Sequence, residues 1–344
     1  MDEQSFTSIE SVGRTSLIEQ ITELCSYSSD AVISGVGDDA AVIDETGDRA
    51  GLLTSETFLE GIDFDLTYTP LHHLGYKSVS AAVSDLLAMN GKPEAMLINL
   101  GLPNKLSVGM VKQIYKGIDA AGNDFGVQLA GGDLTASHNI LSVSVTAYGR
   151  VQKKRLTYRK GAKVDDAICV TGDLGGAMAG LRILMREKSF WEEHQNEQFQ
   201  PDLGDYEYVV KRQLVPVARK DVVKAFSEQE ILPTSMIDLS KGVVNDLEQL
   251  IRASGVGARI YGAALPVAIE TRQVADEIKE DVDKYALYGG EDYEMLFTLP
   301  EEKVEPFAEA FNDFVVIGKI VPEEEGYAMQ PPTGGEIRFD EEQE

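Results

Sequence analysis

Apolar and polar positions change period repeatedly along the 344 residues of this chain, and each change marks an expected element. Leu17, Ile21, Leu24 and Cys25 recur at helical spacing, and Ser16 with Glu19 forms a capping-box pair, so an amphipathic helix is expected from about residue 15. Ala41-Val42-Ile43 and Leu52-Leu53-Thr54 read as short strands separated by the turn-like Glu45-Thr46-Gly47-Asp48. Thr69-Pro70-Leu71 leads into a helix rich in small residues from Leu74 to Met89. Met96 to Leu100 reads as a buried strand, and Val108 to Ala121 returns to the helical period with Gly122 as its stop. Leu141, Val143, Val145 and Ala147 alternate with Ser142, Ser144, Thr146 and Tyr148, which predicts a half-buried antiparallel strand.

The basic run Lys153-Lys154-Arg155, continued by Arg159-Lys160, interrupts this pattern and divides the chain into expected domains at 1–152 and 153–344. A chain of this length exceeds the usual size of a single core. In the second half, Ala167 to Thr171 reads as a strand, followed by Gly172-Asp173-Leu174-Gly175-Gly176 and a helix through Met185. Residues 187–207, rich in charge, aromatics and glutamine, read as an insertion or exposed helical hairpin that decorates the surface. A helix near 241–253, a strand at 294–298, a helix at 301–311 and a strand at 314–319 complete an α/β pattern.

Acids outnumber bases by 58 to 31, a net charge of −27, which opposes nucleic-acid or anionic-membrane binding through any broad basic surface. Part of the excess sits in Glu323-Glu324-Glu325 and in the tail from Asp340, both expected to be solvated. No apolar stretch approaches the length of a membrane span, and Met1-Asp2-Glu3-Gln4 lacks the basic and apolar regions of a signal peptide, so a cytoplasmic protein is expected. Cys25 and Cys169 sit in apolar contexts and read as buried structural thiols. The four histidines have no zinc-ligand spacing.

Six short segments place a carboxylate beside glycine or small residues: Gly35-Val36-Gly37-Asp38-Asp39-Ala40, Thr54-Ser55-Glu56, Ser84-Asp85, Gly131-Gly132-Asp133, Asp238-Leu239-Ser240 and Gly289-Gly290-Glu291-Asp292. Hard oxygen ligands suit Mg²⁺, which takes one or two carboxylates per ion together with phosphate oxygens, so several ions would recruit acids from separate loops. Singly, a Gly-Asp pair is a common turn element. Arg159 has a rationale of its own, because a guanidinium fork clamps phosphate oxygens at two points.

The ordered set is more specific. With Leu59-Glu60-Gly61, Leu74-Gly75-Tyr76-Lys77, Ser84-Asp85-Leu86, Ala88-Met89, Val170-Thr171-Gly172, Ile237-Asp238 and Gly289-Gly290-Glu291-Asp292-Tyr293-Glu294, the chain from about residue 13 to 320 resembles the thiamine-monophosphate kinase family. The wider superfamily includes aminoimidazole ribonucleotide synthetase and selenophosphate synthetase. The resemblance implies a two-domain α/β (α+β) fold with mixed sheets flanked by helices, a homodimer joined through the N-terminal domains, and an active site between domains. It implies Mg²⁺-dependent transfer of the ATP γ-phosphoryl group to thiamine monophosphate, with no phosphoenzyme. By motif, Asp39, Asp85, Asp133 and Asp238 would be metal ligands, with Thr54, Ser55 and Glu56 at a metal-binding strand end. Gly132, Asp133, Arg159 and Ser240 would contact ATP or its metals. Asp63, Glu291 and Tyr327 would lie at the acceptor, Glu291 near the thiamine moiety and Tyr327 as an aromatic wall.

Four positions depart from the family pattern. Glu56 stands where aspartate is usual, and Ala82 where asparagine is usual. Asp63 replaces a histidine and would repel the acceptor phosphate unless protonated or covered by a cation. Ser240-Lys241-Gly242 replaces Ser-Asp-Gly, and an ammonium cannot ligate a metal. Lys241 is compatible with three outcomes: it takes over neutralisation from one Mg²⁺, it leaves a fold with weak or no transfer, or it points to solvent. The alternatives to the kinase are therefore a related enzyme with another acceptor and a non-catalytic nucleotide- or thiamine-phosphate-binding paralogue.

Overall fold

The helix Leu71–Ala88 is buried without interruption from Leu74 to Ala88, and this burial explains its small side chains. It packs against one sheet on each side, so bulk on any face would separate its neighbours. The computed structural model describes residues 7–25, 27–194 and 203–339. The acidic tail from Asp340 lies outside the described residues, as do 195–202 of the glutamine-rich segment.

The first sheet contains β1 (Val32–Ser34), β2 (Ala41–Asp44), β3 (Arg49–Leu59), β4 (Lys92–Pro103), β5 (Gln128–Ser137) and β6 (Ser142–Gln152). Its order is β1-β2-β3-β6-β4-β5, antiparallel except for the β4/β5 pair. As its alternation predicts, β6 buries every second residue from Val143 to Val151. The second sheet contains β7 (Ala167–Thr171), β8 (Ser235–Asp238), β9 (Gly257–Tyr261), β10 (Met295–Leu299), β11 (Phe314–Val321), β12 (Tyr327–Gln330) and β13 (Ile337–Arg338). Its order is β13-β12-β9-β11-β7-β10-β8, with β12/β9 the parallel pair. Two mixed sheets flanked by helices match the expected architecture.

One apolar cluster runs through both halves, from Val42, Leu52 and Leu86 to Phe226, Phe297 and Phe307. Helix Leu71–Ala88 lies against the helix Val108–Phe125 at unusually close range: a Cβ on Gly117 would sit 1.8 Å from the His72 carbonyl oxygen.

Several local expectations change. The first long helix is Arg14–Glu23, capped by Gly13, so Ser16 lies inside it and accepts from Gln20 Nε2 at 3.3 Å instead of capping. Cys25 is exposed because that helix leaves Leu24 in solvent; Cys169 is buried, and burial pushes its thiol well up. Gly122 does not stop its helix, which continues to Gly126, where the left-handed φ of +72° is needed. The helix expected to end at Met185 runs on as Gly176–Glu193, absorbing the first part of segment 187–207. There Lys188 pairs with Asp65 at 2.6 Å, tying the segment to the first half.

Candidate active site

Six separate stretches converge on a cleft of about 500 Å³ between the two halves. The turn before β2 brings Asp38 and Asp39, with Gly37 at a φ of +120° making that turn possible. Strand β3 contributes Thr54 and Glu56 from one face, and the buried helix contributes Asp85. Arg159 comes from the connection after β6, Asp238 from the end of β8, and Ser240 with Lys241 from the loop that follows. Glu291 and Tyr293 precede β10, both at positive φ, +57° and +50°.

Asp39, Asp85 and Asp238 form its floor: all three are buried, and one carboxylate oxygen from each lies within 4.8 Å of the others. Thr54 Oγ1 donates to Asp85 Oδ2 at 2.6 Å. Arg159 Nη2 meets Asp39 Oδ1 at 2.5 Å and Nη1 donates to Gln249 Oε1 at 2.8 Å, while the Arg159 backbone N–H donates to Asp38. Ser240 and Lys241 sit on the loop before the helix Val243–Ser254, where the Lys241 N–H donates to Asp246 Oδ2 at 2.8 Å. Across the cleft, Glu291 Oε2 accepts from buried Lys77 Nζ at 3.0 Å and Gln213 Nε2 at 3.1 Å.

Burial and like charge together set the electrostatics. Burial first, then Asp238, Glu56 and Asp39, drive the Asp85 carboxyl far above the usual carboxylate range. Asp238 is raised likewise by burial and by Asp39 and Asp246. Asp39 is raised by burial despite the opposing charge of Arg159 and, further off, of Lys241. Burial and Asp39 lift Asp38 to about 6, and burial lifts Asp246 to about 7. Seven carboxylates against two cations line the cleft, so without added cations it repels anions.

The residues fit Mg²⁺. Asp39 Oδ2 and Asp238 Oδ2 are buried with no hydrogen-bond partner among the described residues, and an oxygen-only donor set beside them is the chemistry a hard divalent ion requires.

Of the expected site residues, Asp39, Thr54, Glu56, Asp63, Asp85, Arg159, Asp238, Ser240 and Glu291 line this cleft. Ser55 lines it too, but strand alternation turns its hydroxyl to the other face of the sheet, where it meets Thr146 Oγ1 at 3.2 Å. Asp63 is tied to its own turn, accepting from the Leu59 N–H at 2.8 Å. Gly132 and Asp133 are elsewhere: they lie on β5, the exposed edge of the first sheet, outside the cleft. Tyr327 begins β12 and is buried in the second half with its ring 4.8 Å from that of Phe339, so it is no wall of this cleft. The aromatic lining comes from Phe58, Tyr68 and Tyr293. Tyr293 and Lys77 stand in the motifs quoted above, whereas Tyr68 and Gln213 carry no local signal.

Known proteins share this architecture. The N-terminal domain of the AIR synthase related protein family matches residues 37–151, and its C-terminal domain matches residues 163–329. The thiamine-monophosphate kinase of Aquifex aeolicus is 35% identical over 286 residues, 83% of this chain and 86% of that protein. The enzyme of the same name from Escherichia coli K12 is 33% identical over 289 residues, 84% and 83% of the two chains. The solved structure described as AaThiL complexed with AMPPCP and TMP superposes with a TM-score of 0.81 at 31% identity, covering 95% of this chain and 96% of that one. A hydrogenase maturation protein HypE in complex with ATP, 19% identical with a TM-score of 0.67, shares the fold. The chain belongs to the AIR synthase related protein family, within its thiamine-monophosphate kinase branch.

Proposed function

We propose that this protein transfers the γ-phosphoryl group of ATP to the phosphate of thiamine monophosphate, giving thiamine diphosphate and ADP. The observation that carries the proposal is the buried Asp39, Asp85 and Asp238 group beneath an open cleft, with Arg159 beside it. An acceptor phosphate oxygen forms its bond to the γ-phosphorus while the bond from that phosphorus to the β,γ-bridging oxygen breaks, and the electron pair leaves with ADP.

Both reactants are anions, so the protein's task is positioning and charge compensation. Asp39, Asp85 and Asp238, with Glu56 alongside, would hold Mg²⁺, which would supply positive charge to offset the phosphate oxygens. Arg159 is fixed by Asp39 and Gln249, which leaves its fork at the edge of the acid group to contact phosphate. Lys241 adds a second positive charge on the cleft wall in place of the family's acid. Glu291, held by Lys77 and Gln213, offers a carboxylate to the cationic thiazolium, and Tyr68 offers an aromatic face.

The same reading includes a cytoplasmic homodimer, with the chain divided at 152/153. Its support is β5, ten residues of edge strand with Leu129 and Leu134 exposed, a surface that soluble proteins ordinarily cover. Pairing there would put Gly132 and Asp133 at the joint between copies, where their ATP and metal roles would be exercised. Lys241 favours one second reading, a protein that binds both ligands without turnover. Phosphorus NMR of the protein with Mg-ATP and thiamine monophosphate separates the two: a diphosphate product supports the kinase, and calorimetric binding without product supports the alternative. Absence of binding at millimolar ligand defeats both.

A further inference from the structure

A second cavity of about 760 Å³ lies between the halves and shares no lining residue with the acidic cleft. The two meet different parts of the buried helix region: Ala81 and Asp85 line the acidic cleft, whereas Leu87 and Asn90 line this cavity. Its other walls are the start of β3, the start of β4, the end of β6, Arg155, and the helix Lys220–Glu228.

Its charge is opposite to that of the molecule. Six bases and two acids line it in a chain of net charge −27. Both acids are already paired, Glu94 with Arg150 at 3.0 Å and Asp221 with Arg219 at 2.8 Å. Arg49, Lys92, Arg155 and Lys220 have no carboxylate within ion-pair distance among the described residues. Among the described residues the Arg155 side chain reaches only the Ile231 carbonyl, at 3.4 Å, and Lys220 only the Asp124 carbonyl and the face of Phe125. Four cations from separate elements, none in an ion pair and only Arg49 drawn at longer range toward an acid, Glu45, thus surround one space whose remaining surface includes Leu87, Phe125, Val151 and Val223. Protein cations are ordinarily spread over an acidic surface as partners for its acids. Their convergence here, outside any close ion pair and over an apolar floor, is the arrangement of a site for an anion with a nonpolar body.

We propose that this cavity binds a small phosphorylated organic molecule carrying an apolar ring, without a divalent ion. Arg49, Lys92, Arg155 and Lys220 contact the phosphates, and the ring lies against Phe125 and Val223. A single carboxylate would leave most of these cations unmatched, whereas a diphosphate engages several.

The metal requirement separates this site from the cleft. In EDTA the cleft's carboxylates exclude anions, so equilibrium dialysis of the full chain against ADP, thiamine diphosphate or inorganic pyrophosphate reports on the basic cavity. The expected result is saturable binding, near one equivalent per chain, of ADP or of thiamine diphosphate. Whichever binds identifies the source as a nucleotide or as a thiamine ester. Pyrophosphate, lacking the ring, binds about tenfold more weakly or worse. The Lys92→Glu/Lys220→Glu variant, altered at two exposed positions, weakens binding by about tenfold or more at an unchanged melting temperature. If that variant unfolds, Lys92→Glu alone serves. No saturable binding of either ester in EDTA, equal binding of pyrophosphate, or full binding by a folded charge-reversed variant would each overturn the proposal.

Discussion

The Thr54 hydroxyl donates to Asp85 Oδ2 at 2.6 Å, joining the middle of strand β3 to the helix buried behind it. Through this one bond an acid that burial and three neighbouring acids disfavour as an anion keeps a donor. Thr54→Val preserves shape and removes the donor, so it is expected to destabilise the Mg²⁺-free protein by about 2 kcal/mol in urea denaturation and to lower turnover. Unchanged stability would mean that Asp85 stays protonated without help.

Stability should fall with pH when divalent ions are withheld. Asp38 and Asp246 have folded values of about 6 and about 7, above the unfolded carboxylate value, so the folded state holds extra protons between roughly pH 4 and those values. Their contribution is complete below the unfolded value and is lost as pH rises through the folded one. In EDTA the melting temperature is therefore expected to decline from about pH 5 to about pH 7.5, with Mg²⁺ restoring more of it at the higher pH. Mn²⁺ binding followed by paramagnetic resonance should weaken over the same range as pH is lowered.

Lys241 stands in the cleft with Asp39 and Asp246 within its electrostatic reach. Replacing it by methionine should lower turnover by about tenfold and raise the Mg²⁺ needed for half-maximal rate, a loss of about 1.4 kcal/mol at the transition state. Lys241→Asp should raise the number of Mn²⁺ ions bound by the complex with ADP. If both variants match the native protein in rate and ion count, Lys241 is a bystander.

The exposed edge β5 predicts self-association. Sedimentation velocity should show a dimer, and Leu134→Lys, which places a charge on a residue 57% exposed in the single chain, should shift it to monomer without a loss in the monomer's own melting temperature. A dimer insensitive to this change would be joined elsewhere.

Gly117→Ala tests the contact between the two long helices of the first half. The added methyl would meet the His72 carbonyl at 1.8 Å, backbone against backbone, and the expected cost is about 3 kcal/mol, read as a fall in the denaturation midpoint.

The acids of the cleft floor were legible in the sequence because metal and phosphate chemistry demands carboxylates beside small residues, and Asp39, Asp85 and Asp238 all keep that local signature. What the signature lacks is direction. Ser55 shares a segment with Thr54 and Glu56, yet the period of β3 turns its hydroxyl away. Gly131-Gly132-Asp133 carries the same carboxylate-beside-glycine signature, but parallel pairing of β4 with β5 draws it into a strand. Tyr327 is captured by β12, whose pairing with β9 carries its ring into the core. Tyr68 and Gln213 enter the cleft through packing between distant segments, for which no short pattern exists. The fold was more legible than the site's rim, since alternation along β6 and the small-residue helix each report their own burial.

The helix Leu71–Ala88 belongs to both halves at once, and its apolar surroundings are continuous from one sheet to the other. A jaw-like swing about the linker would tear that shared packing, so substrates must be admitted by adjustment of rim loops such as 240–242 and 289–293 around a stiff floor. On the proposed metal-dependent chemistry, catalytic readiness would be governed by which cations have arrived, and only slightly by how wide the protein stands open.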